Sequence, residues 1–115
     1  MSYADRQRLY LVTSVPGPMW DRSRERGEQA GWDAHASFMN ALEASGDVVL
    51  GGPAGDGDEA LVLVDAPSEE AARALLAADP WSNTILRIAS VVEWTILLDS
   101  RPTAQDGQPP PARSA

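Results

Sequence analysis

The chain has no cysteine, no lysine and a single histidine. Without cysteine there are no disulfides, thiolate nucleophiles or thiolate metal sites. Without lysine there is no Schiff-base chemistry on a lysine side chain. One histidine cannot make a multi-histidine metal site within the chain, and a metal would need carboxylates or a second subunit. No metal and no cofactor are expected. Aromatic residues are few: four tryptophans, two tyrosines and one phenylalanine. No apolar run approaches the ~18 residues that a membrane span requires, so no membrane association is expected. The start, MSYADRQRLYLV, is charged but lacks a small-residue cleavage site. It reads as no signal peptide, which favours the cytoplasm.

All nine basic residues are arginine, against 17 acidic ones, for a net charge of −8. Nucleic-acid binding rests on neutralising phosphates, so this balance argues against it. Even the densest basic stretch, DRSRER, interleaves Asp21 and Glu25 with its arginines. A length of 115 residues suits one domain, and a hydrophobic content of 43% is ordinary for a globular chain.

The elements follow from patterning. Leu9 to Val15 is apolar and β-branched and stops at Pro16-Gly17-Pro18, as a strand meeting a breaker. MWDRSRERGEQAG is polar and interrupted by Gly27 and Gly31, a loop with at most a helical turn, in which Arg24 and Glu28 would pair at i,i+4. From Trp32 the apolar residues Trp32, Met39 and Leu42, with His35, recur at helical steps, widened by Phe38 and Ala41. Gly46 stands where a C-terminal cap belongs, which predicts a helix over Trp32 to Ser45. Val48 to Leu50 is a short strand ended by Gly51-Gly52-Pro53, and AGDGDE is a turn. Leu61 to Asp65 has consecutive apolar residues, as a strand buried on both faces does.

Ser68 starts a second helix with acidic residues in its first turn and a buried stripe of Ala72, Leu75 and Leu76. Pro80 ends it. Ile85 to Leu98 reads as one strand, kinked or split near Ser90, with Ile88, Val92, Trp94, Ile96 and Leu98 on one face. Residues 1–99 are then one domain, and 100–115, rich in proline, glycine and alanine, a disordered tail.

The order β-α-β-β-α-β predicts an α+β, ferredoxin-like fold: an antiparallel sheet with both helices on one face. Apolar residues remain for the other face, and a second copy is the simplest cover for them. A homodimer through the sheet faces is expected.

Two residues stand out chemically. His35 lies on the apolar stripe of its helix among Trp32, Phe38 and Met39, either as a packed core histidine or as a proton-transfer group in a small pocket. Asp79, in AADPW, is either a turn residue or, in this topology, a carboxylate that approaches His35 and orients its ring. Trp20 and Trp81 flank breakers and are placed to line a cleft with Trp32. Gly52 and Pro53 sit where the backbone can approach a ligand closely. GPAGDGD lacks the lysine of a phosphate loop and is followed by no helix, and its Asp56 and Asp58 lack the calcium-loop series. Arg22, Arg24 and Arg26 read as solvated surface charge, with attraction of an anionic ligand as the alternative.

Taken in order, LYLVTSV, GPMWDRSRERGEQAGWDAHASFMNAL, VVLGGPAGDGDEALVLVDA, the Ser-Glu-Glu helix with its closing ADPW, and VVEWTILL resemble the YciI-like (YCII-related) family from about Leu9 to Leu98. The resemblance implies a dimeric α+β barrel of ferredoxin-like subunits. It also implies a histidine–aspartate pair as the catalytic centre, here His35 and Asp79, with Gly51-Gly52-Pro53 at the pocket. One protein resembling this family is a dehydrochlorinase of aromatic degradation, and the fold is shared with muconolactone isomerase-like proteins. Gly31-Trp32 and the arginine-rich stretch before it depart from the shorter members, which puts the pocket entrance and substrate in question. Two functions follow as expectations. One is a cofactor-independent lyase or isomerase acting on a small organic, cyclic or aromatic-derived substrate through His35 and Asp79. The other is a non-catalytic ligand-binding or regulatory module using the same pocket, with Trp20, Trp32, Met39, Gly52, Pro53 and Trp81 as ligand contacts.

Overall fold

A computed structural model describes residues 7–102. Four strands alternate with two helices: β1 (Arg8–Pro16), α1 (Trp32–Ser45), β2 (Val48–Ala54), β3 (Glu59–Val64), α2 (Glu69–Ala77) and β4 (Leu86–Thr95), with a short 3-10 turn at Arg26–Glu28 before α1. The sheet order is β2-β3-β1-β4, and every neighbouring pair is antiparallel. This is the ferredoxin-like arrangement, with β1 and β3 central.

Both helices pack on one sheet face. Met39 and Leu42 of α1 and Ala72 and Leu76 of α2 meet Tyr10, Val12, Val62 and Val64 in a single core. Val12 and Val64 are fully buried, each worth about 1.5–3 kcal/mol of burial. Ser68 caps α2, its hydroxyl accepting from the Ala71 N–H at 3.0 Å. Gly46 closes α1 in the left-handed region, donating to the Glu43 carbonyl at 3.0 Å.

Four sequence expectations are corrected. β2 does not stop at Gly51 but continues through Gly52 and Pro53, which pairs with Ala60. β2 is an edge strand, where a missing N–H breaks no interior ladder. In β4 the register slips opposite Thr13 and Ser14, so Ile88 leaves the face of Val92 and Trp94 and joins Val91 against the core. Ala41 is exposed and does not widen the α1 stripe. Arg24 faces Asp21 at 3.4 Å and reaches only the backbone carbonyl of Glu28, because the helical turn there is too short and the Glu28 carboxylate accepts from the Glu25 N–H instead.

Residues 103–115, most of the expected tail, lie outside the described residues. Ser100 to Pro102 are described, and there Arg101 clasps Asp99 at 2.6 Å, drawing the Asp99 pKa down to about 2 through that hydrogen bond. Among the described residues, no helix is long and apolar enough to cross a membrane.

Candidate active site

The C-terminal end of α2 brings Asp79 to α1. Helix α2 stops at Ala77, and the Asp79 N–H donates back to the Leu76 carbonyl at 3.1 Å. Pro80 then forces a tight turn in which Asp79 Oδ1 accepts from the Trp81 N–H at 2.9 Å. The same carboxylate meets His35. Nδ1 lies 2.9 Å from Oδ1 and 2.8 Å from Oδ2. A carboxylate only accepts, so Nδ1 carries a proton, and in the neutral ring Nε2 holds the lone pair. No described residue hydrogen-bonds Nε2. Asp79 is therefore a turn residue and the partner of His35 at once.

The pair is well enclosed, with 10% of the His35 side chain and 9% of the Asp79 side chain exposed. Trp81 forms its floor. The indole lies flat against the imidazole at 4.0 Å between centroids and 7° between planes. Its Nε1–H donates to the Ala30 carbonyl at 2.7 Å, which fixes the ring. Gly31 opens α1 at a φ of 76°, and a Cβ there would meet Trp81 Nε1 at 3.3 Å. Glycine thus satisfies both the left-handed backbone and the indole beneath it. Trp20 and Trp32 pack against the cluster of Trp81, Ile85 and Leu86.

His35 and Asp79 line a cavity of about 270 Å³ between α1 and β2. Its wall includes Trp32 and Met39 of α1, Gly51, Gly52 and Pro53 of β2, and Leu76. The structure thus brings together six of the residues singled out from sequence: Trp32, His35, Met39, Gly52, Pro53 and Asp79. Two lie apart from that wall. Trp81 is buried behind His35, and Trp20 lines a neighbouring cleft. Phe38 is not part of the wall either.

Sequence reasoning passed over Arg26 as a wall residue. It lines both the His35 cavity and the cleft of Trp20, Arg22 and Arg24. Its guanidinium stands 5.4 Å from the Trp20 ring centre. One of its nitrogens, Nη2, donates to the carbonyls of Gly57 at 3.0 Å and Asp58 at 3.4 Å. Burial pulls its pKa below the ordinary arginine value, partly offset by the Asp58 charge. Buried Gln29 shapes the segment that presents it. Its side chain donates to the carbonyls of Asp21 and Arg24 and accepts from the Asp21 N–H. A glutamine in a polar stretch gives no sequence signal of that role. Among the described residues, no three histidine or carboxylate side chains are grouped to hold a metal ion.

The fold and this enclosed pair define an α+β, ferredoxin-like protein with a histidine–carboxylate couple at the wall of a small cavity. The model of the YCII-related domain matches residues 9–95, and the chain belongs to that family. No curated protein and no solved structure matches it.

Proposed function

We propose that His35 is a general base and Asp79 its orienting carboxylate, acting on a small organic compound in the cavity. The reading rests on one observation: Nδ1 is held by both Asp79 oxygens at the edge of a cavity, leaving Nε2 without a partner among the described residues. In such a couple the carboxylate selects the tautomer and stabilises the imidazolium that forms when Nε2 takes a proton. The Trp81 face adds attraction for a cationic ring, through the indole quadrupole. The proton comes from a C–H or O–H of the compound, and elimination or isomerisation follows as the electron pair expels a leaving group or shifts along the skeleton.

Positioned base catalysis typically contributes about 10²–10⁴-fold. With a turned-over substrate, His35→Gln is expected to lower kcat by that factor with the fold intact. An unchanged kcat overturns the assignment.

The double role of Asp79, which also pins Trp81, favours a second reading: a ligand-binding module in which the pair only fixes polarity. There His35→Gln changes affinity, and no compound turns over.

The same reading includes a homodimer through the sheet face opposite the helices. Cross-strand pairing sets Leu50, Leu11 and Val92 on that face, with Leu61 and Trp94. Leu50 is 59% exposed, Val92 55% and Trp94 49%. A contiguous apolar patch of this kind marks an association surface.

A further inference from the structure

We propose that Arg26 is the anion-recognising residue of the His35 cavity, and that the compound handled there carries a carboxylate. The inference rests on the cavity being the functional site.

The argument starts from how the arginines are used. Arg8, Arg24, Arg73 and Arg101 each face a carboxylate, whereas Arg22 and Arg87, the latter also at the cavity wall, have none among the described residues but are exposed to solvent. Arg26 is half-buried, yet among the described residues it has no carboxylate within ion-pair distance. Nη2 is held by two main-chain carbonyls, and the guanidinium lies over the Trp20 ring. Nε is buried and has no acceptor among the described residues. A half-buried guanidinium at a cavity wall with no carboxylate partner among the described residues is costly, and the unmatched Nε–H adds to that cost, which points to an anion arriving from the cavity.

The chemistry of that acceptor follows from the wall. With Nη2 turned to the two carbonyls, Nη1 is left to donate, and a carboxylate oxygen accepts such a charge-assisted bond. A phosphate dianion calls for more donors, such as a lysine or a glycine-rich nest of N–H groups before a helix. The chain has no lysine, and the glycine-rich turn between β2 and β3 is followed by a strand. Beside Arg26 the wall is mostly apolar, with Trp32, Met39 and Val62, which suits an organic body. The acidic wall residue Glu43 lies about 12 Å beyond His35 along α1 by helical rise, away from the helix start that Arg26 precedes. Attraction is local, because a net charge of −8 repels anions at a distance.

The test is NMR titration of the intact protein with benzoate, its neutral counterpart benzamide, and inorganic phosphate, reading the His35 ring and the tryptophan indole signals. Benzoate is expected to give saturable shifts at His35 and Trp20, with affinity at least about tenfold above benzamide and above phosphate. Arg26→Gln is expected to abolish the preference over benzamide while the His35 Nδ1 and Trp81 Nε1 signals stay in place. Arg26→Lys keeps charge without the Nη2 anchor on the Gly57 and Asp58 carbonyls and is expected to retain only part of it. Equal binding of benzoate and benzamide, a preference for phosphate, no saturable binding, or a preference that survives in Arg26→Gln overturns the proposal. If Arg26 only ties its segment to the Gly57 turn, substitution loosens that segment and leaves selectivity unchanged. His35→Gln is expected to keep the benzoate preference. Anion selectivity without turnover of any carboxylate therefore sinks the base reading and not this one, and turnover of neutral compounds alone does the reverse.

Discussion

Trp81 lies flat beneath His35, with ring centres 4.0 Å apart and planes 7° from parallel. The contact joins the loop after α2 to the second turn of α1. It is also anchored twice from outside the ring pair, by the indole N–H on the Ala30 carbonyl and by the Trp81 main-chain N–H on Asp79. The imidazole is thus fixed in its plane by Asp79 and out of its plane by Trp81.

Replacing Trp81 separates these effects. Trp81→Phe keeps a stacked ring but leaves the Ala30 carbonyl without its donor and removes buried volume. A loss of about 1–3 kcal/mol is expected in urea unfolding. Trp81→Ala removes the floor entirely, and about 3–5 kcal/mol is expected. A Trp81→Ala cost under 1 kcal/mol would show that the ring is not a packed element.

Gly17 packs against the main chain that follows Trp81. Its N–H donates to the Ile85 carbonyl at 2.8 Å, and a Cβ would stand 2.4 Å from the Thr84 carbonyl oxygen. That oxygen is main chain and cannot swing aside. Gly17→Ala is expected to cost about 1–3 kcal/mol in thermal or urea unfolding and to speed hydrogen exchange at Met19, whose N–H bonds Thr84. Wild-type exchange rates there would contradict the close approach.

The β-α-β-β-α-β order and α1 were legible because helical spacing, Gly46 and Ser68 are local signals. The His35–Asp79 contact was not legible from spacing, since 44 residues separate the partners and only the crossing of α1 by the α2 turn joins them. The topology left it as one of two alternatives for Asp79, and the family resemblance implied the pair. The face of Ile88 was misread because a bulge changes parity without marking the sequence. β2 was cut short because Gly-Gly-Pro signals a break, whereas an edge position tolerates it. Arg26 was read as solvated because its burial depends on Trp20 and the Gly57 turn folding onto it.

The Asp99–Arg101 clasp has a defined pH signature. Asp99 has a folded pKa of about 2, below the ~3.9 of a free aspartate. A depressed folded value means that the stabilising contact is complete above the unfolded pKa and is lost as pH falls through the folded one. The carboxyl carbon of Asp99 is expected to titrate near 2 by NMR, and in Arg101→Ala to return toward the ordinary value. A wild-type midpoint near 4 would deny the clasp in solution.

The homodimer reading predicts a mass near twice that of the 12.3 kDa chain in sedimentation equilibrium. Trp94→Asp combined with Val92→Asp places like charges on the proposed contact face. The pair is expected to yield a folded monomer, since both side chains are already about half exposed and support little of the subunit core. A wild-type monomer, or a dimer unaffected by both changes, removes the sheet face as the interface.

Asp79→Asn gives the sharpest test of how the carboxylate serves His35. Oδ1 accepts from the Trp81 N–H, so an asparagine keeps the turn by setting its carbonyl oxygen there. Its NH₂ then takes the place of Oδ2, 2.8 Å from Nδ1. An amide donor cannot face an N–H, and Oδ1, 2.9 Å from Nδ1, already accepts from the Trp81 N–H, so the imidazole is expected to move its proton to Nε2. Long-range ¹⁵N correlation is expected to show Nδ1–H in the wild type and Nε2–H in Asp79→Asn, with the fold retained. The Nε2 lone pair disappears with that exchange, and base catalysis is expected to fall about as far as in His35→Gln. If the tautomer does not change, Asp79 is not what sets it. If the tautomer inverts and turnover is untouched, Nε2 is not the base.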